Sequence, residues 1–258
     1  MAHVADESVR VERSGARTTV IWERPPVNVF NIALLDQLAH TLRSAPVRSA
    51  NVVVLKGARH RWSAGFDVED HLSDRLRPML EAFRDLVRAL WEVPGPTLAQ
   101  VEGPCLGGAV ELLAACDLAL AAESATFGQP EVRLGVFPPF TTALGPRMIG
   151  PKRTAELVFL GETLSARRAE TFGLLNGVVA ESSLEEEVDR VTERLCGYRS
   201  DTLVLLKKAV HASNPLPWTE MERVERIYLD ELMNLPKAEE GLRAFLEKRE
   251  PHWPPRAG

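Results

Sequence analysis

The side chains best suited to chemistry lie between Val101 and Pro139, in the run VEGPCLGGAVELLAACDLALAAESATFGQPEVRLGVFPP. Gly107 and Gly108 precede a run of good helix formers, Ala109 to Ala115, so a helix is expected to open at the glycine pair. The first N–H groups of a helix have no intrahelical partner, and the dipole makes that end mildly positive. Without side chains there, an anionic oxygen could approach those N–H groups closely, although two glycines could also simply let a strand turn into a helix. Glu111 falls about one turn into this helix among apolar neighbours, where an ionised carboxylate is costly unless it is paired or used. Glu131 follows Phe127-Gly128-Gln129-Pro130, a turn-like run without helical or strand period, and is placed on a loop. It joins Glu111 only if that loop folds back over the helix start; otherwise it is an ordinary exposed glutamate.

The other reactive residue types suggest less. Cys105, Cys116 and Cys196 show no C-x-x-C spacing, so neither a disulfide framework nor a zinc site is expected, and reduced thiols fit a cytoplasmic protein. The six histidines, His3, His40, His60, His71, His211 and His252, have no metal-ligand spacing; only His60 and His71 fall near the suspected site. G-x-S-x-G, P-loop, H-E-x-x-H and G-x-G-x-x-G patterns are all absent. The net charge of −5 gives no argument for nucleic acid or anionic lipid, and no apolar run suits a signal peptide or a membrane span.

The elements that must position these residues can be read in order. Ser8–Glu12 and Thr18–Trp22 alternate across Ser14-Gly15 as a β-hairpin, and Asn31 caps a helix through Leu34, Leu35, Leu38 and Leu42. Asn51–Leu55 reads as a buried strand, followed by an irregular segment from Gly57 to Asp70 and a long helix from about Ser73 to Val93. Pro94-Gly95-Pro96 breaks that helix before a strand at Thr97–Val101. From Pro139 the pattern is almost wholly helical, near 139–149, 151–160, 165–172, 183–198, 201–212, 217–234 and 236–248. An α/β core over 1–195 with a helical region over 196–258 is expected. Trp218, Val224, Ile227, Tyr228 and Leu232 offer more apolar surface than a thin helical layer needs, which suggests a subunit interface.

The run Trp62-Ser63-Ala64-Gly65-Phe66-Asp67, then Gly103-x-x-x-Gly107-Gly108-x-x-Glu111, Cys116-Asp117 and Phe127-Gly128-x-Pro130-Glu131-x-x-x-Gly135, resembles the crotonase (enoyl-CoA hydratase/isomerase) superfamily. Glu23-Arg24-Pro25 and the segment Gly241 to Arg249 also match, so the likeness covers nearly the whole chain. The resemblance implies an α/β spiral of ββα turns with a C-terminal helical region that makes trimers, often paired into hexamers. It implies an acyl-CoA thioester substrate, with CoA part of the substrate and no metal or organic cofactor.

By motif position, the backbone N–H groups that hold the thioester oxygen fall at Phe66 and Gly108, and the two hydratase glutamates fall on Glu111 and Glu131. Glu111 is assigned to the water and Glu131 to proton donation at C2. The family geometry would lay CoA along Arg24, Pro26 and Val27 and along Ala64, Asp67 and Val68, with Phe245 and Lys248 reaching the CoA of a neighbouring subunit. The chain departs from straight-chain hydratases in Phe66, where alanine is usual, and in Val136-Phe137-Pro138-Pro139-Phe140, where a glycine-rich turn is usual. Phe137 and Pro138 should therefore touch the acyl group. The run looks like that of hydratases for cyclic dienoyl groups, such as cyclohexa-1,5-diene-1-carbonyl-CoA, and for branched acyl groups. A 3-methylglutaconyl-CoA substrate would need a cation for its distal carboxylate, which His71, Arg75 or Arg77 could supply. An isomerase using one glutamate and a non-catalytic binding protein are the alternatives, and the presence of both glutamates argues against each.

Overall fold

In the computed structural model, which describes residues 8–253, the expected hairpin is β1 (Val9–Ser14) and β2 (Arg17–Trp22), paired antiparallel. His3 lies outside the described residues. Helix α1 (Ile32–Leu42) starts where expected, with the Asn31 side chain accepting a hydrogen bond from the Leu34 N–H at 3.0 Å. A short α2 (Ala45–Arg48) leads to β3 (Val52–Gly57), and the long α3 (Ser73–Trp91) packs on α1. Then follow β4 (Thr97–Val101), β5 (Pro104–Leu106), α4 (Gly108–Ala114), β6 (Leu118–Ala122) and β7 (Thr126–Gly128). The rest comprises α5 (Pro139–Met148), α6 (Pro151–Leu160), β8 (Thr163–Ser165), α7 (Ala166–Phe172), β9 (Gly177–Val179), α8 (Leu184–Cys196), α9 (Ser200–Ser213), α10 (Trp218–Arg226) and α11 (Glu240–Leu246).

Two sheets organise the chain. The larger runs β1-β2-β3-β4-β6-β9, parallel from β2 onward; the smaller runs β5-β7-β8. Parallel strands covered on both faces carry continuous apolar runs, which is why Val52–Leu55 is wholly buried. Each turn of chain adds a strand to the large sheet and then, from β4 to β5 and from β6 to β7, one to the small sheet, which is the α/β spiral expected.

Some expectations need correction. The Phe127-Gly128 part of the turn-like run is the end of strand β7, paired to β5 and β8, and at three residues it is too short to show a period. Glu131 is on a single 3-10 turn, Pro130–Leu134, and is buried rather than exposed. The chain after Pro139 contains β8 and β9, equally short. The segment expected as one helix over 217–234 is α10, then a π-helical turn at Ile227–Glu231 and a 3-10 turn at Leu232–Asn234.

The apolar surplus also lies elsewhere. Tyr228 is buried in the main core with Leu216, Met221 and Leu242, so residues beyond 196 share the core of the preceding segment. Exposed apolar side chains instead include Leu205, Leu206 and Val210 on α9. That helix is tied to the core by Asp117, whose carboxylate is 2.8 Å from both Lys207 Nζ and His211 Nε2. Burial pushes the Asp117 carboxyl up, but His211 and Lys207 outweigh it and hold it at about 2. Helix α1 depends on its cap in the ordinary way, so Asn31→Ala should cost about 1 kcal/mol of stability in urea denaturation, and an unchanged midpoint would show that the side-chain bond contributes nothing.

Candidate active site

The segment carrying Phe66 is fixed by tryptophans and backbone pairing. Trp22 Nε1–H donates to the Trp62 carbonyl at 3.0 Å, and Trp62 Nε1–H donates to the Ala109 carbonyl at 3.1 Å, which joins this segment to α4. Ser63 N–H donates to Pro104 O and Leu106 N–H to Ser63 O, so the segment lies against β5 like an extra strand. On its other side Phe30 N–H donates to Gly65 O and Asp67 N–H donates to Phe30 O. Because Gly65 O and Asp67 N face Phe30, the intervening Phe66 N–H must point away from it.

The second donor comes from the start of α4. Gly107 caps that helix with φ +55° and ψ −133°, and its N–H bonds the Gly128 carbonyl of β7. A Cβ on Gly107 would lie 2.7 Å from Glu131 Oε1, and one on Gly108 would lie 2.3 Å from the Phe66 ring. Both positions therefore require glycine, and these contacts bring Phe66, the helix start and Glu131 together. The Gly108 N–H is the first of the helix and has no intrahelical acceptor.

Glu111 and Glu131 line one small cavity with Phe66, His71, Met79, Leu80, Phe137, Pro138, Pro139 and Tyr228. About 10 Å³ is open to a water's centre, room for roughly one water molecule. Glu111 is 1% exposed and Glu131 9%. The Thr141 N–H, in the first turn of α5, donates to Glu111 Oε1 at 2.8 Å, so α5 aims its positive end at this carboxylate. Burial raises Glu111 to about 7 against that helix terminus. Burial of Glu131, reinforced by the charge of Glu111, outweighs the bond from its own backbone N–H and pushes it well above the usual carboxylate range.

Three polar partners escaped the sequence reading. Gln129, fully buried, has its amide assigned in the orientation that satisfies its neighbours. Its N–H₂ then donates to Glu131 Oε1 and Oε2 at 2.9 and 3.0 Å, while its oxygen accepts from the Thr141 hydroxyl. Thr141 thus touches Glu111 through its backbone and, through Gln129, Glu131. The position of Gln129 immediately before Pro130-Glu131 was the available signal; nothing local marks Thr141. Tyr228 reads in the sequence only as one of the apolar positions at helical spacing.

The remaining site residues divide clearly. Of the six residues expected along CoA, Arg24 Nη2 is 2.9 Å from Asp67 Oδ2 and Ala64 N–H donates to Val27 O; none of Arg24, Pro26, Val27, Ala64, Asp67 and Val68 lines the cavity. Phe137 and Pro138 line the cavity. Phe245, 58% exposed, and Lys248 do not line it and stand out from the surface at the last helix.

The proposed cations fare differently. His71 lines the cavity, but burial lowers its pKa; Nδ1–H faces the Asp67 carbonyl at 3.2 Å, leaving Nε2 as an acceptor. Arg75 pairs with Asp70 at 2.6 Å, and Arg77 lines an open outer groove with Leu229 and Met233. Contrary to the histidine spacing, His60 comes together with Glu102 and Glu181, with ligand atoms within 4.8 Å of one another; His60 and Glu181 are exposed and none of the three lines the cavity.

Fold and cavity define an α/β spiral protein with a pair of unlike carboxyl groups beside two glycine-flanked N–H groups. Residues 14–256 match the family model for enoyl-CoA hydratase/isomerase, and the chain belongs to that family of enzymes. It is 33% identical over 249 residues to a cyclohexa-1,5-dienecarbonyl-CoA hydratase of Thauera aromatica, covering 95% of each chain. Among solved structures it is similar to an enoyl-CoA hydratase/isomerase of Pseudoalteromonas atlantica T6c, with TM-score 0.84, 26% identity and coverage of 96% and 100%. It is also similar to an enoyl-CoA hydratase subunit of Geobacillus kaustophilus HTA426, with TM-score 0.73, 34% identity and coverage of 96% and 98%. Among the described residues no helix is long and apolar enough to cross a membrane.

A carboxyl group with a raised folded-state pKa holds a proton that the unfolded chain releases. Its stabilisation is complete below the unfolded value of about 4.3 and is lost as pH rises through the folded value. Glu131→Gln should therefore gain in melting temperature on the wild type as pH rises from about 5 to about 8; a gap that stays constant over that range would contradict the raised pKa.

Proposed function

We propose that the protein is an enoyl-CoA hydratase, or the same enzyme run as a dehydratase, acting on an uncharged cyclic or branched acyl thioester. The observation that carries this is the burial of Glu111 and Glu131 in one cavity with different proton affinities. Adding water across C2=C3 needs a carboxylate to take a proton from water and a carboxylic acid to protonate C2. Glu111, charged above about pH 7 and facing the end of α5, suits the first task. Glu131, which burial and the charge of Glu111 push well above the usual carboxylate range, suits the second.

The Phe66 and Gly108 N–H groups are the donors for the thioester oxygen as it becomes an enolate. A preorganised donor of that kind contributes about 3–4 kcal/mol to the transition state. The chemistry calls for no metal or organic cofactor, since CoA arrives as part of the substrate. Its nucleotide would run along Arg24, Pro26 and Val27 and along Ala64, Asp67 and Val68, and Phe245 and Lys248 would serve a neighbouring subunit. Exposed Leu205, Leu206 and Val210 favour assembly into a trimer or hexamer, and three unpaired cysteines favour the cytoplasm.

The acyl group is argued from the cavity wall. Phe66, Met79, Leu80, Phe137, Pro138 and Pro139 suit a bulky hydrocarbon, while His71 is held neutral by burial and Arg75 is paired outside. A distal carboxylate, as in 3-methylglutaconyl-CoA, would lack a cation there. The likeness to a cyclohexa-1,5-dienecarbonyl-CoA hydratase supports a cyclic dienoyl group.

Crotonyl-CoA, 3-methylcrotonyl-CoA, 3-methylglutaconyl-CoA and cyclohexa-1,5-diene-1-carbonyl-CoA should be compared in a hydration assay with the wild type, Glu111→Gln and Glu131→Gln. The cyclic thioester is expected to react fastest, each variant to lose at least about 100-fold in kcat, and the wild-type rate to rise through about pH 7. Binding without turnover would favour a non-catalytic protein, and loss in only one variant would favour an isomerase.

A further inference from the structure

Tyr228 is a polar residue in the wrong place for a purely structural role. It is 1% exposed, and its hydroxyl has no hydrogen-bond partner. Leaving a buried hydroxyl unpaired is destabilising, whereas phenylalanine would fill the same space without that cost. The ring stands edge-on to Phe137, with centroids 4.9 Å apart, and lines the cavity of Glu111 and Glu131. It is carried on the π-helical turn Ile227–Glu231, and such turns inside helices occur frequently at functional sites. Burial, then the charges of Glu131 and Glu111, push its pKa above the usual phenol range, so it keeps its proton.

The cavity has room for about one water, and a buried water needs two to four polar partners. Two of them are the carboxyl groups, and the phenol is a third that can both donate and accept. We propose that Tyr228 holds the reacting oxygen: the water before it adds to C3, and the C3 hydroxyl before it leaves. This rests on the hydratase reading above.

In hydration, the water oxygen bonds to C3 as one of its protons passes to Glu111. The C2=C3 pair shifts toward the thioester oxygen and returns to C2, which takes the proton of Glu131. Passage of the proton from Glu111 to Glu131 restores the starting state. Tyr228 accepts the second O–H of the water in this direction and, because the reverse passes through the same transition state, the O–H of the departing hydroxyl as Glu111 returns its proton, with no net proton change.

The test is Tyr228→Phe, which keeps the ring against Phe137 and removes only the hydroxyl. Measured beside the wild type and Glu111→Gln, it should lower kcat by about 10- to 100-fold with KM for the thioester changed less than about threefold. Its melting temperature should be equal to or above the wild type's, which separates lost chemistry from lost structure. A binding measurement independent of turnover compares a 3-hydroxyacyl-CoA with the saturated acyl-CoA of the same length, and the preference for the hydroxylated ligand should shrink in the variant.

If the wild type hydrates a thioester while Tyr228→Phe keeps full rate and full preference, this role is overturned and the hydratase reading stands. If the wild type hydrates none of the four thioesters, the hydratase reading fails and takes this role with it.

Discussion

Two carboxyl groups sealed into one apolar cavity cannot both be charged, and the rest of the site follows from that constraint. The one basic side chain lining their cavity, His71, is held neutral by burial; what sets Glu111 apart is the backbone N–H groups at the start of α5. The start of α5 points at Glu111 and favours its ionised form, and that charge in turn keeps the Glu131 proton on. A basic residue would have ionised both groups and removed the acid. Backbone dipoles are weaker and directional, so they can favour one carboxylate of an adjacent pair.

Holding the pair requires three separate pieces of chain to converge without side-chain bulk. The Trp62–Asp67 segment, the β5–α4 junction and the β7–Pro130 turn are joined by main-chain hydrogen bonds, with Gly107 and Gly108 at the crossing. The tryptophans supply the rigidity that those glycines lack. Each indole N–H is spent on a carbonyl of the next layer, so the position of the Phe66 N–H is set through Trp62 by the large sheet.

The sequence was informative where a signal is local. The Asn31 cap, the hairpin across Gly15, the Val52–Leu55 strand and the helix opening at Gly108 all depend on neighbouring residues, and they lie where those residues indicate. Strands β5, β7, β8 and β9 were not legible because three residues cannot show an alternation, and their pairing is decided by distant chain. Glu131 looked like a loop residue for the same reason: its burial comes from the packing of its turn over Gly107, which nothing near it encodes. His71 and Arg75 looked like available cations because sequence gives charge but not partners; one is buried and neutral, and the other is paired with Asp70. The family resemblance supplied the pairing of Glu111 with Glu131, and the cavity supplied what the resemblance did not, namely Gln129, Thr141 and Tyr228.

The distribution of satisfied and unsatisfied polar groups separates scaffold from site. Asp70, almost fully buried, holds Arg75 and the Ile32 N–H, and Asp117 holds Lys207, His211 and Thr97; these groups fasten elements together, and their hydrogen-bonding capacity is used. Among the described residues the buried side-chain oxygens without a partner are Ser44 Oγ, Glu102 Oε2 and the Tyr228 hydroxyl, and of these residues only Tyr228 lines the cavity. Ser44 and Glu102 are isolated cases, whereas this cavity gathers two raised carboxyl groups and an unpaired phenol around room for one water, and so concentrates instability in one place. Burial of that kind is compensated when the missing partner is a molecule that comes and goes, which is the physical sense in which this cavity is built for a reaction rather than for the fold.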